Sequence, residues 1–547
     1  MKKVVILGGG VAGLSAAHEL IVRGYEVAVY EFKGIPGGKA RSMPFVGSGT
    51  GGRKDLPGEH GFRLFPRFYR HVIDTLKRIP YENGTVYNNL TEVTRLDIAT
   101  YTAPLLPLLA KIEFNLESLL VVIKDIFDSR LGLSLEDLEQ YARKLWQVMT
   151  SCEQRIQEEY NLIDWWNFIE ADQQSVAFQK IFAGFTKTLV ACQSKIANTQ
   201  TVGPVAVQMT MDITTPGTSF VRLLNGPTNE KWIYPWLSFL QDKGVDYHLG
   251  AKVESIDCVD GLIRGAKITE EGRTFDVEAD YYIAAFPVEV MGKFVTDAML
   301  QADPSLAGVQ SLVDSVAWMN GIQYYLKEDV PITHGHVIYL DAPWSLTSVS
   351  QKQFWPDVNL SEYGDGRVKG VLSVDISDWE SPGIIFGKAA MYCTAEEIRA
   401  EVWAQMKLSL NVDGEVILED DVLHSWFLDT DIHFDNPEHA NTNMEPLLIN
   451  RVGTWEKRPE AFTAIPNLFL ASDYVRTNTN LATMEGANEA ARRAVNAILK
   501  QDGSKEEPCK IWDMYTFELG KFDWLAGYRH HDERRFAKNL PWDGKFL

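Results

Sequence analysis

The sequence predicts an α/β fold built around a parallel, dinucleotide-binding sheet. Three observations carry this: a strand–turn–helix–strand unit over Met1 to Glu31, a second strand–loop–helix unit over Leu468 to Asn496, and a long helix-patterned stretch between them that has neither signal. Val4 to Leu7 is a short apolar run suited to a strand buried on both faces, and it leads directly into Gly8-Gly9-Gly10-Val11-Ala12-Gly13. In this G-x-G-x-x-G pattern Gly8 allows a tight turn, Gly10 lets a pyrophosphate approach the backbone, and Gly13 lets helix and strand pack closely. Val11 and Ala12 then open a helix whose free N–H groups and positive dipole end favour an anion. Leu14, Ala17, Leu20 and Ile21 share one face of that helix, Gly24 ends it, and Glu26 to Tyr30 forms the next strand. Glu31 follows about twenty residues after the glycines, where an acid can accept hydrogen bonds from ribose hydroxyls. An isolated glycine-rich turn would be weak evidence; here strand, turn, helix, strand and acid arrive in register.

The chain has 547 residues, too many for one ordinary core, so several packed domains are expected. A net charge of −21 argues against nucleic acid as a partner and gives no attraction to anionic lipid, so any peripheral membrane contact would have to be apolar. Five scattered cysteines without metal spacing suit a reducing, cytoplasmic compartment. The apolar run after Lys2-Lys3 is read as the dinucleotide strand and not as a cleaved leader. No apolar run reaches the ~20 residues of a spanning helix.

After Glu31, Gly37-Gly38-Lys39-Ala40-Arg41-Ser42 suits a backbone passing close to a phosphate or a flavin ring, with Arg41 as a charged partner. Glu59-His60-Gly61-Phe62-Arg63 begins a segment crowded with aromatics and bases. With the glycine fingerprint, the Gly-Gly-x-x-x-Ser loop and this acid-and-His segment, the sequence resembles the flavin-containing amine oxidase and phytoene desaturase superfamily, and on the desaturase side the plant and cyanobacterial carotenoid desaturases. The resemblance implies a discontinuous Rossmann-like FAD-binding domain with an interleaved α+β substrate domain and a helical cap. It favours FAD over NAD, and it places His60, Gly61 and Phe62 beside the flavin.

Residues 91–224 read as mostly helical, with Ser134 opening a helix that carries Leu138, Tyr141, Ala142, Leu145, Val148, Met149 and Cys152 at helical spacing. Trp165, Trp166 and Phe168 are expected in the core, and the apolar stretch from Tyr101 to Ala110 is a candidate entrance for a greasy substrate. Trp232 to Lys243 is a helix, followed by antiparallel strands. The resemblance lays the backbone of Val253 against the adenine, and the buried strand from Asp280 to Pro287, with Ala285 near its end, returns the chain to the cofactor. Residues 296–446 mix strands, among them Val316 to Leu326, with one helix opened by Thr394 to Glu397. The expected domains are FAD-binding segments 1–75, 225–295 and 447–500, a helical cap over 76–224, a substrate-domain sheet over 296–446 and an extension over 501–547. In that extension, His530 to Glu533 read as a solvated surface turn and not as a metal site.

Leu468 to Leu470 form a strand that ends near Asp473, which can hold the ribityl or pyrophosphate region. Met484 and Ala487 begin a helix whose N-terminus would stabilise charge at flavin N1. Amine oxidases of the superfamily place an aromatic residue immediately before this Met-Glu-Gly, whereas the desaturases have a small hydroxyl residue, and here it is Thr483. Covalent-flavin oxidases of the superfamily use a cysteine in this neighbourhood, and here none lies between Cys393 and Cys509, so the resemblance implies a non-covalent FAD. The resemblance therefore implies an FAD-dependent desaturase that passes hydride from an apolar, isoprenoid-like or polyene-like substrate to flavin N5, with oxygen or a quinone as electron acceptor. A flavin amine or amino-acid oxidase and a redox-neutral isomerase or hydratase of an unsaturated lipid are the alternatives.

Overall fold

The computed structural model describes residues 1–108, 119–127, 129–213, 219–435, 439–514 and 523–545. The organising sheet has five parallel strands: β1 (Lys3–Leu7), β2 (Glu26–Glu31), β3 (Asp246–Leu249), β4 (Tyr281–Ala284) and β5 (Leu468–Leu470). Their order is β3-β2-β1-β4-β5, so the central strand is the first in the chain. Val4, Val5, Ile6 and Leu7 are fully buried, as expected of a strand covered on both faces. Helix α1 (Val11–Ile21) covers one face and packs against α2 (Met484–Asp502), whose buried alanines 490, 491 and 494 allow close approach. The Asn488 amide ties the two helices by donating to Ser15 Oγ at 2.8 Å. Pieces from both ends and from the middle of the chain thus make one sheet, the α/β architecture anticipated from sequence.

A second, seven-stranded sheet runs in the order Leu106–Pro107, Arg95–Ala99, Gly335–Tyr339, Leu346–Ser350, Gly370–Ile376, Asn320–Leu326, Leu423–Leu428. It is antiparallel except where Arg95–Ala99 pairs with Gly335–Tyr339. Helix Ala395–Leu410 covers part of it, opened by the expected capping box between Thr394 and Glu397. Lys252–Val259, Leu262–Glu270 and Arg273–Val277 form a separate antiparallel meander. The helical region includes Leu135–Thr150, capped by Ser134 and Asp137, and all seven residues predicted for its inner stripe, from Leu138 to Cys152, are buried. Trp165 and Phe168 are core residues as well, while Trp166 is half-buried.

Four expectations need correction. Residues 91–224 are not uniformly helical, because Arg95–Ala99 and Leu106–Pro107 are strands of the large sheet. The strand expected over Val316 to Leu326 is two strands: Val316–Ala317 pairs with Leu447–Leu448, and Asn320–Leu326 joins the large sheet. Within the apolar stretch from Tyr101 to Ala110, Leu106 and Leu108 are buried in the core of the helical region, which removes them from any entrance; residues 109–110 lie outside the described residues. The segment His530 to Glu533 is no surface turn. It belongs to helix Asp523–Phe536, where His531 and Asp532 are buried and Asp532 holds the buried Arg155. Among the described residues, no helix is long and apolar enough to cross a membrane.

Candidate cofactor and substrate site

The two glycine loops meet. Gly8 turns with φ +107° and its N–H donates to the Tyr30 carbonyl at 2.9 Å, while Gly37 turns with φ +110° and pairs with Gly10 in a short parallel bridge. These left-handed conformations are readily adopted only by glycine. A Cβ on Gly13 would lie 2.0 Å from the Gly8 carbonyl oxygen, and one on Gly38 would lie 2.9 Å from Gly10 Cα. Gly10 itself has ordinary extended backbone, and a Cβ there would meet only Gly38, its nearest atom at 3.5 Å. The space beside Gly10 is therefore open. It lies at the start of α1, where no side chain caps the helix and the first-turn N–H groups, Val11 to Gly13, have no intrahelical acceptor. Such a helix start is suited to an anion.

Glu31 closes the turn from the other side. Its carboxylate accepts from the Gly9 N–H at 2.7 Å and the Lys33 N–H at 2.9 Å. Burial pushes its pKa up, against the pull of those two N–H bonds. Tyr247, on β3, donates its hydroxyl to the Gly9 carbonyl at 2.7 Å, and a Cβ on Gly9 would lie 2.0 Å from that hydroxyl. Sequence reasoning missed this contact, because its partner is 238 residues away. Val253 lies beyond the end of β2 on the meander's first strand, and the Ala251 N–H just before it donates to the Glu31 carbonyl at 2.8 Å. Ala285 meets the first turn directly: its N–H donates to the Leu7 carbonyl at 2.8 Å.

Lys39 and Arg41 do not point to open space. The Lys39 ammonium pairs with Glu289 at 2.9 Å and donates to the Pro446 carbonyl, and burial, which lowers its pKa, is outweighed by Glu289 and Asp473. The Arg41 guanidinium is taken up by Asp431, by Glu445 at 2.6 Å and by the Gly38 carbonyl at 2.7 Å. Its expected role as a free partner for a phosphate is corrected accordingly: it braces the Gly37-Gly38 turn. His60 sits in the same network with Nδ1 2.7 Å from Asp429. His60, Asp429 and Asp431 bring ligand atoms within 4.8 Å of one another, but Lys33 and Arg41 already occupy Asp431 and the Asn320 amide donates to Asp429. Burial would raise the Glu445 pKa, but Arg41, His60 and Lys33 bring it down to about 2.

Gly61 crosses the large sheet, where a Cβ would lie 2.9 Å from Asp375, and Phe62 packs on the buried ring of His336 with centroids 5.3 Å apart. Burial alone pushes the His336 pKa down to about 3, so that ring is neutral. On the far side, Asp473 follows β5, and Thr483 caps α2 by accepting the Gly486 N–H at 3.1 Å. Thr483, Met484 and Ala487 are half-buried, and the Ala487 N–H donates to the Thr483 carbonyl at 3.0 Å. The structure thus brings Gly8 to Gly13, Glu31, Gly37-Gly38, Ala285 and the meander together at the carboxyl ends of β1, β2 and β4, the edge at which open parallel sheets bind ligands.

Residues 6–79 match the NAD(P)-binding Rossmann-like domain, and residues 235–499 match the flavin containing amine oxidoreductase family. The chain is 24% identical to 15-cis-phytoene desaturase of Synechococcus elongatus, over 91% of this chain and 96% of that protein. It is also 24% identical to the probable zeta-carotene desaturase of the same organism, over 91% of this chain and 98% of the relative. Among solved structures, putrescine oxidase bound to putrescine shares the fold with a TM-score of 0.61 at 13% identity, over 91% of this chain and 99% of that one. Residues 235–499, just under half of the chain, are thus similar to the flavin containing amine oxidoreductase family, and the chain is an FAD-dependent oxidoreductase.

Proposed function

We propose that the chain is a desaturase with non-covalent FAD, acting on an apolar, polyene-like substrate. The observation that carries this reading is the similarity over nine-tenths of the chain to two proteins named as carotenoid desaturases. Thr483 supports it: the residue before Met484 is a small cap whose hydroxyl is committed to Gly486, and it offers no aromatic wall for an amine. The cysteines nearest in sequence to this cap are Cys393, whose thiol lies 3.5 Å from the Ala389 carbonyl, and Cys509, 3.7 Å from Glu19.

The residues present fit FAD. The open space beside Gly10 and the uncapped start of α1 take the pyrophosphate, with Val11, Ala12 and Gly13 supplying N–H donors. Glu31 takes the ribose with its remaining lone pairs, Val253 the adenine through its backbone, and Ala285, Gly37 and Gly38 line the path. Asp473 takes the ribityl region. Thr483, Met484 and Ala487 form the positive end of α2, which would stabilise negative charge on a reduced flavin held against it. Bound FAD supplies the hydride acceptor. The protein holds the apolar substrate in line, keeps water out and lets a neighbouring proton depart, leaving a new carbon–carbon double bond. Oxygen or a quinone is the final acceptor.

Anaerobic mixing of the FAD-loaded protein with 15-cis-phytoene or zeta-carotene in detergent tests this. Lasting flavin bleaching and a product two hydrogens lighter are expected. Ammonia and hydrogen peroxide from amines would establish an amine oxidase instead, and product without bleaching would establish a redox-neutral isomerase.

A further inference from the structure

Gly9 stands where the glycine fingerprint makes no demand: the turn calls for glycine at 8, 10 and 13, and the Gly9 backbone is not left-handed. What excludes a side chain there is Tyr247. A Cβ on Gly9 would lie 2.0 Å from the Tyr247 hydroxyl oxygen and 2.8 Å from Glu31 Cβ. Tyr247 belongs to β3, the edge strand of the parallel sheet, where it pairs with Val29 of β2. The glycine at 9 and the tyrosine at 247 are therefore one paired choice, made 238 residues apart.

Both polar groups of Gly9 are held by side chains. Its N–H donates to Glu31 at 2.7 Å, and its carbonyl accepts the Tyr247 hydroxyl at 2.7 Å and, less closely, the Gly37 N–H at 3.4 Å. Burial and the neighbouring Glu31 carboxylate raise the Tyr247 pKa well above its usual value, so the phenol keeps its proton and acts as a donor. The direction of the next N–H follows. In a trans peptide the carbonyl of one residue and the N–H of the next point in opposite directions. With the Gly9 carbonyl turned toward Tyr247 and Gly37, the Gly10 N–H points to the other side, where it has no acceptor among the described residues. It adds a donor to the uncapped start of α1.

We infer that Tyr247 is a positioning residue for the dinucleotide: by holding the Gly9 carbonyl, it aims the Gly10 N–H at an oxygen of the pyrophosphate. The inference goes beyond the desaturase reading and rests only on the placement of the pyrophosphate beside Gly10.

The test displaces FAD from the FAD-loaded, full-length protein with ADP and, separately, with adenosine, and follows the fluorescence of the released flavin. ADP carries the pyrophosphate and adenosine does not, so the ratio of their affinities reads the phosphate site alone. Tyr247→Phe removes only the hydroxyl. It should weaken FAD and ADP by about tenfold each and leave adenosine unchanged, because a misaimed N–H loses a hydrogen bond to a charged oxygen. A merely structural role for the phenol would weaken all three alike. Gly9→Ala, whose methyl takes the hydroxyl's place, should lower the ADP-to-adenosine ratio in the same way, and should lower it no further in a Tyr247→Val background, where the ring is gone. A ratio that keeps its wild-type value in Tyr247→Phe, or in Gly9→Ala if Tyr247→Phe does not fold, overturns the inference and leaves the pyrophosphate where it is placed. Equal displacement by ADP and adenosine in the wild type would overturn that placement, and the inference with it.

Discussion

Glu485 and His71, 414 residues apart in sequence, form a buried pair that joins the start of α2 to the cofactor side of the fold: Glu485 Oε1 lies 2.7 Å from His71 Nδ1. The same carboxylate accepts the backbone N–H groups of Arg70, His71 and Val72 at 2.7, 2.8 and 3.0 Å, and so caps the helix His71–Leu76. His71 Nε2 accepts from the Trp512 N–H at 3.0 Å, so Nδ1 carries the proton and donates to Glu485. Burial alone would raise the Glu485 carboxyl, but the bonds from His71 and Val72 hold it below its usual value. In Glu485→Gln an amide nitrogen replaces one acceptor in a fully donor-lined pocket, at a cost of about 2–3 kcal/mol. Because Glu485 lies in the first turn of α2, the variant should also release FAD more readily. Denaturant titration and flavin-to-protein absorbance ratios check both.

The glycine fingerprint separates folding from cofactor binding. Gly10→Val adds a side chain where only Gly38 is near and the backbone is ordinary, so the variant should carry no FAD and melt close to the wild-type protein stripped of FAD. Gly13→Ala puts a methyl 2.0 Å from the Gly8 carbonyl and should lose stability itself. Absorbance near 450 nm and thermal melts, on the same preparations, distinguish them. A yellow, stoichiometric Gly10→Val protein would show the pyrophosphate to be elsewhere.

What could be read from the sequence was local. The first turn, the cap at Thr394 and the inner stripe of Leu135–Thr150 each depend on residues within one or two turns of each other, and each is found as expected. The partners of Arg41 were not legible, since Asp431 and Glu445 lie 390 and 404 residues away, and a lone arginine beside two glycines looks like a free anion ligand. The strand Arg95–Ala99 was hidden for the same reason: its parallel partner is Gly335–Tyr339, and a five-residue apolar alternation inside a helix-rich stretch does not reveal that pairing. Alternation through Val316 to Leu326 shows extended chain but not the change of partner between Ala317 and Asn320. His531 and Asp532 looked solvated because their partners, Asp543 and Arg155, are brought near only by the fold.

That C-terminal contact yields its own prediction. Asp532 meets Arg155 at 2.9 Å and accepts the Cys152 N–H at 2.8 Å, with both charged side chains almost wholly buried. Asp532→Ala leaves the guanidinium with Glu159 and the Leu540 carbonyl, and should cost about 3 kcal/mol. The loss should appear as a lower melting temperature and faster proteolysis after residue 500. Asp532→Asn, which keeps an acceptor, should lie between.

The buried acids under Phe62 give stability an inverted pH dependence. Glu59 has a usual value of 4.5 and is raised to about 7 by burial, with Arg63 and the Thr228 N–H opposing. Between pH 4.5 and about 7 the folded protein therefore binds more protons at this site than the unfolded chain, so the site's contribution falls as pH rises through that window. Glu445 works in the opposite sense, since its lowered value means its contribution is present above pH 4.5 and is lost as pH falls toward about 2. The two windows do not overlap, but Asp375 is raised to about 7 by burial as well, so Glu59 is isolated by the difference between the wild type and Glu59→Gln between pH 5 and 7.5. Over that range Glu59→Gln should remove a slope of up to one proton, about 1.4 kcal/mol per pH unit, so the variant gains on the wild type as pH rises. Denaturant midpoints at half-unit pH steps measure the difference. A wild-type curve parallel to that of Glu59→Gln would mean that Glu59 stays ionised in the fold, with Arg63 as a full ion-pair partner.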